Sequence, residues 1–333
     1  MWIHASLTIS IFLKNRFIYS VATDVSGAKL SANQCASLLT HGVSKCVMVG
    51  LTPEAVQWWG DNAEILPSNA LFYDASHFYQ WAFDWNQREN SRAALEGYLV
   101  HPLVSFDKYR HIQAVVLART LLFVDMLHQG VNVWMLDSDV VFPLDPRNMF
   151  LDTNFDCVYM MNIGNFVQEA RYEVPYSYPF LTDGRHATVN NGIVASRASE
   201  SSLKLWQKSV DRVLNHVTGD PQHPHNQLLF TLGLKLEKVS VRGYPNLEGD
   251  FGYYQGNAIL HVNENDSLSL AVRGVSTASA YNKVGHDVML QQVAIHAVGV
   301  GGMSSEQGLK CEYFKEIGFW HIETSCAGLV SVE

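Results

Sequence analysis

The chain is short of charge. Asp, Glu, Lys and Arg make up 17% of its 333 residues, below the roughly one quarter of an ordinary globular protein. Bases are scarcer than acids, 23 against 32, for a formal net charge of −9. That balance argues against wrapping duplex DNA or lying on an anionic membrane, since both need a basic surface. No CxxC pair occurs among Cys35, Cys46, Cys157, Cys311 and Cys326, which argues against a cysteine-based zinc site. Five cysteines is an odd number, so at least one thiol stays free in any compartment. No internal repeat, low-complexity tract or long linker divides the chain. The apolar stretch Trp2 to Leu13 contains His4 and is too short to cross a bilayer, and Lys14 and Arg16 follow it rather than lead it. It reads as an extra strand or the remnant of a membrane anchor. One glycosylation sequon, Asn265-Asp266-Ser267, is present.

Hydrophobic residues are plentiful, at 47%, and their order alternates between two periods. Phe17 to Thr23 reads as a strand closing at Asp24, Ala32 to Thr40 as a helix stopped by Gly42, and Lys45 to Gly50 as a second strand. Thr52-Pro53-Glu54 opens another helix, with proline in its first turn. Residues 60–105 are aromatic-rich (Trp81, Phe83, Trp85) and show no clear period; core packing or the lining of an acceptor site would explain them. Asp107 to Gln129 is helical and ends at Gly130. Strands are expected at Val131 to Leu136, Cys157 to Met161 and Ala187 to Ser196. A helix capped by Ser199 or Ser201 should run through Leu203, Trp206, Val210, Val213 and Val217, and a shorter one from Asn226 to Leu232. The β-α-β-α order indicates a mostly parallel sheet with helices on its faces.

Two carboxylates with one residue between them, Asp137-Ser138-Asp139, emerge where the strand through Leu136 ends. In open α/β sheets, ligands bind outside the carboxyl ends of the strands. Like charges this close need a cation or hydrogen-bond donors to compensate them. A hard divalent ion shared with substrate phosphates does so. His296, just after an apolar run, is a candidate third ligand, and the glycines behind it (Gly299, Gly301, Gly302) would let backbone amides approach a diphosphate. Lys310 adds positive charge nearby.

The run Arg119 … Leu127-His128-Gln129-Gly130-Val131 … Leu136-Asp137-Ser138-Asp139-Val140-Val141 … Asp145-Pro146 resembles the core signature of the GT-A-fold nucleotide-diphospho-sugar transferases, among them plant cell-wall xylosyl- and arabinosyltransferases. Asn191-Gly192, Gln227, and His296 with Gly302, Lys310 and Trp320 extend the likeness. The resemblance implies an α/β, Rossmann-like single domain, with a mixed, mostly parallel sheet flanked by helices. That domain would span residues 17–322, with an N-terminal extension or anchor remnant at 1–16 and a tail at 323–333. It further implies a metal-dependent transferase, using Mn²⁺ or Mg²⁺, that moves a sugar from a nucleotide-diphosphate donor, a UDP-sugar, to a glycan, glycoprotein or other hydroxyl acceptor, with retention. A Golgi or other secretory lumen is the compartment it implies.

The resemblance also assigns roles. Asp137 would meet the ribose or the metal, Asp139 and His296 would ligate the metal, Lys310 would offset the leaving diphosphate, and Asn191 and Gln227 would lie near the donor sugar or acceptor. Two positions depart from the pattern: Arg119 replaces a lysine at a nucleotide contact, and Asn226 replaces an aspartate before the glutamine. A non-catalytic member that only binds nucleotide-sugar or glycan is the alternative reading. A more distant one is a haloacid-dehalogenase-type phosphatase with Asp137 as nucleophile and Asp139 as general acid. That chemistry needs a later Gly-Asp with a second acid close behind, and Gly249-Asp250 is followed by none.

Overall fold

A computed structural model describes residues 17–87, 106–147, 156–163, 187–215, 241–244, 259–261, 294–297 and 307–326. The first strand, β1 (Phe17–Thr23), leads through a short 3₁₀ turn into helix α1 (Ala28–Thr40). Asp24 caps that turn, its carboxylate accepting from the Ser26 and Gly27 amides. Strand β2 (Cys46–Gly50), helix α2 (Pro53–Asp61) and strand β3 (Ala70–Asp74) follow. The α2 entry is built as its sequence requires: the Thr52 hydroxyl accepts from the Ala55 amide, and Pro53 occupies the first turn.

Helix α3 (Ser76–Gln87) and the long α4 (Phe106–His128) pack together before β4 (Asn132–Leu136). Gly130 takes φ +79°, the left-handed turn that ends α4. Beyond β4 lie β5 (Val140–Val141), β6 (Cys157–Ile163), β7 (Ala187–Ser196), α5 (Glu200–Asn215), β8 (Val241–Tyr244), β9 (Ile259–His261), β10 (Ala294–His296) and α6 (Gln307–Glu316).

Seven strands form one sheet in the order β3-β2-β1-β4-β7-β6-β8, and β5-β10-β9 form a second. In the large sheet β1 pairs parallel with β2 and β4, β2 with β3, and β6 with β8, whereas β7 runs antiparallel to both β4 and β6. This mixed, mostly parallel sheet with flanking helices, in a single domain, is the fold class expected from the sequence. Both sheet faces are covered. Val133 and Met135 of β4 join one core cluster, with α4 and α5, while Trp134 and Leu136 join the other, with α1 and α2. A strand buried on both sides reads as an unbroken apolar run rather than an alternation.

The chain lays β1 down in the middle, builds outward to β3, then returns to the other side of β1 with β4. That reversal is a topological switch point, where the carboxyl ends of β1 and β4 open a crevice.

Residues 60–87, the described part of the aromatic-rich region, are more regular than their sequence suggests. Residues 70–74 are a parallel strand and 76–87 a helix. Aromatic side chains are indifferent helix formers, and they obscure the period by appearing on every side of α3. Phe83 and Trp85 pack half-buried against the core, and Trp81 is exposed. Helix α6 was likewise not anticipated, and α1 starts four residues earlier than expected, at Ala28. Ser199, not Ser201, caps α5 by accepting from the Ser202 amide. The helix expected at Asn226 to Leu232 lies outside the described residues, as does the N-terminal stretch 1–16.

Two disulfides join Cys35 to Cys46 and Cys311 to Cys326, leaving Cys157 free and buried. The second holds Cys326 against α6, so the folded chain continues past residue 322. No helix among the described residues is long and apolar enough to cross a membrane.

Candidate functional site

The switch point carries a carboxylate just beyond each of its two strands. Asp24 follows β1 and Asp137 follows β4, and these strands are in parallel register, Val21 beside Leu136. Helix α4 runs beneath both and supplies a partner to each. Arg119, 5% exposed, donates to Asp137, and His111 Nε2 lies 2.7 Å from Asp24 Oδ2. The other ring nitrogen of His111 is 2.8 Å from the Tyr79 hydroxyl. His111 thus bridges the Asp24 carboxylate and the Tyr79 hydroxyl through its two ring nitrogens. Burial opposes ionisation of Asp24, but bonds from His111, Ser26 and Gly27 outweigh it and hold the carboxyl below its ordinary range. Burial, reinforced by the Asp24 charge, pushes the Tyr79 hydroxyl up to about 12.

The second sheet brings in the third member. Strand β5 begins one residue after Asp139, and β10 pairs with it antiparallel, setting His296 opposite Val140. The Ala297 amide donates to the Asp139 carbonyl at 3.0 Å, extending that pairing to the acid itself. His296 Nε2 therefore stands 3.3 Å from Asp137 Oδ2 and 3.3 Å from Asp139 Oδ1. Lys310, from α6, donates to the other oxygen of Asp139 at 2.6 Å. Asp139 and His296 are buried, and Asp137 is partly open.

One potential ligand atom from each of Asp137, Asp139 and His296 lies within 4.8 Å of the others, so the three can hold a metal ion. The donor set, carboxylate oxygens with one imidazole nitrogen, suits a Mn²⁺-like ion. Burial disfavours a charged Asp139, yet the Lys310 and His296 charges and their hydrogen bonds outweigh it, keeping the carboxyl ionised far below its usual range. An ionised carboxylate is what a cation needs.

Strand β7 contributes backbone. Its pairing with β6 shifts register between Tyr159 and Met160, so Asn191 to Ile193 form a bulge at the level of the acidic pair. The Gly192 carbonyl there accepts from the Asp137 amide at 2.7 Å. Bulges of this kind recur beside functional sites. Asn191 thus lies next to the cluster along the backbone. Of the remaining expected site residues, Asn226, Gln227 and Gly302 lie outside the described residues.

Sequence reasoning missed Asp24 and His111 as a pair, and it missed Gln34. The Gln34 amide, from the middle of α1, donates to the Asp137 carbonyl at 2.9 Å. Gly27 is equally close: a Cβ there would come 2.7 Å from the Ser138 hydroxyl oxygen and 2.1 Å from that of Thr23. Asp24, as the residue that follows a strand and precedes a glycine turn, carried a legible signal; Gln34 carried none.

The Asp-Asp-His group thus sits at the reversal of a doubly covered α/β sheet, where such sheets bind ligands. Residues 103–257 match the nucleotide-diphospho-sugar transferase family, so the resemblance read from the sequence holds over that segment. No curated protein matches the chain. Among solved structures, mouse xyloside xylosyltransferase 1 in its apo form aligns at 14% identity and a TM-score of 0.46, over 84% of this chain and 96% of that one. The galactosyltransferase LgtC, solved with donor and acceptor sugar analogs, aligns at 13% identity and 0.48, over 92% and 97%. Core-mannan synthase A from Aspergillus fumigatus, in a Mn/GDP form, aligns at 11% and 0.39, over 68% and 71%.

Proposed function

We propose that this protein is a metal-dependent glycosyltransferase that moves a sugar from a nucleotide diphosphate, UDP, to a hydroxyl acceptor with retention at the anomeric carbon. The observation that carries the reading is the convergence of Asp137, Asp139 and His296 at the switch point, with Lys310 2.6 Å from Asp139. Asp137, Asp139 and His296 hold the ion. A Mn²⁺ or Mg²⁺ bound there supplies positive charge against the donor's diphosphate.

The chain's own residues handle the rest. Arg119 keeps Asp137 oriented from below, and Lys310 stands ready to take up negative charge as the sugar–phosphate bond breaks with its electron pair on the leaving oxygen. Such fixed charges in a shielded site are a large catalytic term. Asp24 stands on the same sheet edge as Asp137, and by the family likeness Gly302 would give the diphosphate close backbone approach. By the family likeness, Asn191, Asn226 and Gln227 would serve the donor sugar or the acceptor. The two disulfides support an oxidising compartment, the Golgi or another secretory lumen.

The test is a screen of nucleotide-sugars with Mn²⁺, reading released UDP against Asp139→Ala. Release above that background on one donor is expected. No release on any donor overturns the enzyme reading, and UDP binding without turnover would replace it with a nucleotide-sugar-binding role.

A further inference from the structure

Helix α1 is polar where a helix buried against a sheet ought to be apolar. Ser31, Asn33, Gln34 and Ser37 are all fully buried. Burying so many polar groups is costly unless each is hydrogen-bonded. Ser31 bonds back to the Ala28 carbonyl within the helix, whereas Asn33, Gln34 and Ser37 each bond a segment outside it.

Asn33 Nδ2 donates to the Phe319 carbonyl at 3.0 Å, and Asn33 Oδ1 accepts from the His321 amide at 2.6 Å. One side-chain amide thus grips a backbone segment in the way a neighbouring strand would. Gln34, the next residue, grips the carbonyl of Asp137. Ser37, one turn on from Asn33, accepts from the Phe142 amide at 3.3 Å, just past β5. Lys29 Nζ donates to the Ser325 carbonyl at 3.0 Å. Two pieces of chain are therefore held by one helix. The first is the strand end that carries Asp137 and Asp139. The second is the segment 319–326, which follows α6 and is tied back to it through Cys311–Cys326, Cys311 being the neighbour of Lys310.

We propose that Asn33 and Gln34 are positioning residues that set the separation between Asp139 and Lys310. Neither touches the reacting atoms; each fixes one side of the ion pair to the same rigid element. Their adjacency in sequence is the device, because one helical segment then measures the gap. This inference rests on the reading of Asp139 and Lys310 as donor-handling groups.

Asn33→Asp is the sharpest probe. It keeps the shape and the acceptor for the His321 amide, but turns the donor facing the Phe319 carbonyl into a repelling oxygen. Two readouts separate the inference from the proposed activity. In amide hydrogen exchange, residues 307–316 should exchange at least tenfold faster while 132–136 stay within threefold of wild type. Equal acceleration in both, the mark of a merely structural role, overturns the proposal, as does no change at 307–316. In turnover, kcat should fall at least tenfold with the donor KM within threefold, and the same substitution in a Lys310→Ala background should cost less than threefold. A full loss in that background overturns it, because the two residues would then act independently. Should Asn33→Asp fail to fold, Asn33→Ser, which only shortens the reach, takes its place in both measurements. A wild type that releases no UDP from any donor refutes the transferase reading, while hydrogen exchange still decides the role of Asn33.

Discussion

Arg119 and His111 lie eight residues apart on α4, about two turns along one face, and each meets a carboxylate at the end of a different strand, Asp137 after β4 and Asp24 after β1. A single helix thereby compensates both acids at the sheet's switch point. Rotation or loss of α4 would disturb the two together.

Arg119→Ala should leave Asp137 without its buried counter-charge. Breaking a pair of this kind costs on the order of 3 kcal/mol, read as a lower urea midpoint with an unchanged slope. Arg119→Lys keeps the charge but not the planar fork. It should retain most of the stability while weakening donor binding.

Metal affinity tests the Asp-Asp-His group directly. Isothermal titration with Mn²⁺ should show one site in the wild type and none in Asp139→Ala. His296→Ala should bind more than about tenfold more weakly, since loss of even an outer-shell partner costs about 10–100-fold. Wild-type affinity in His296→Ala would remove it from the ligand set.

Asp24 gives stability a pH dependence of known sign. Its carboxyl is held lower in the folded chain than in the unfolded one, so between the two values the unfolded state binds more protons and stability rises with pH. Its contribution is complete above the unfolded value of about 3.9 and is lost as pH falls through the folded one. The stability gap between wild type and Asp24→Asn should therefore be flat from pH 7 to 5 and shrink below pH 4.

Thiol counting tests the cysteine assignment. Burial pushes the Cys157 thiol up to about 12, so it is neither accessible nor ionised in the native protein. A thiol reagent should find no group in the native chain, one after denaturation, and five after denaturation with reductant. Opening Cys311–Cys326 with Cys326→Ser should cost about 3 kcal/mol, the value for a loop near 15 residues.

The parts of the site legible in the sequence are those made locally. Gly130, the β4 run and the acidic pair form one uninterrupted stretch, so their arrangement followed from period and turn chemistry alone. His296 was legible as a residue but not as a place, because its position depends on β10 pairing with β5 across a long interval of chain. Lys310 was legible as a nearby positive charge but not as the partner of Asp139, because its helix, α6, has too weak an apolar stripe to announce itself. Gln34 and Asn33 were invisible, since a buried polar residue on a helix looks in sequence like an exposed one. Disulfide connectivity stayed open for a plainer reason: spacing does not determine pairing.

The β10–β5 contact has a consequence for how this protein tolerates change in length. His296 is aimed by two pairs with β5, Ile295 with Val141 and His296 with Val140, and by three with β9 on its other side, Ala294 with Ile259, Ile295 with Leu260 and His296 with His261. Successive side chains on a strand point to opposite faces, so a slip of one step would present a neighbour instead and turn the imidazole away. Those neighbours, Ile295 and Ala297, are small or aliphatic and already buried. The slip would shift the three pairs with β9 as well as the two with β5. The ligand set is thus indexed by strand pairing on both flanks of β10, and a one-residue insertion within that strand would silence the site and give up the pairing on both sides.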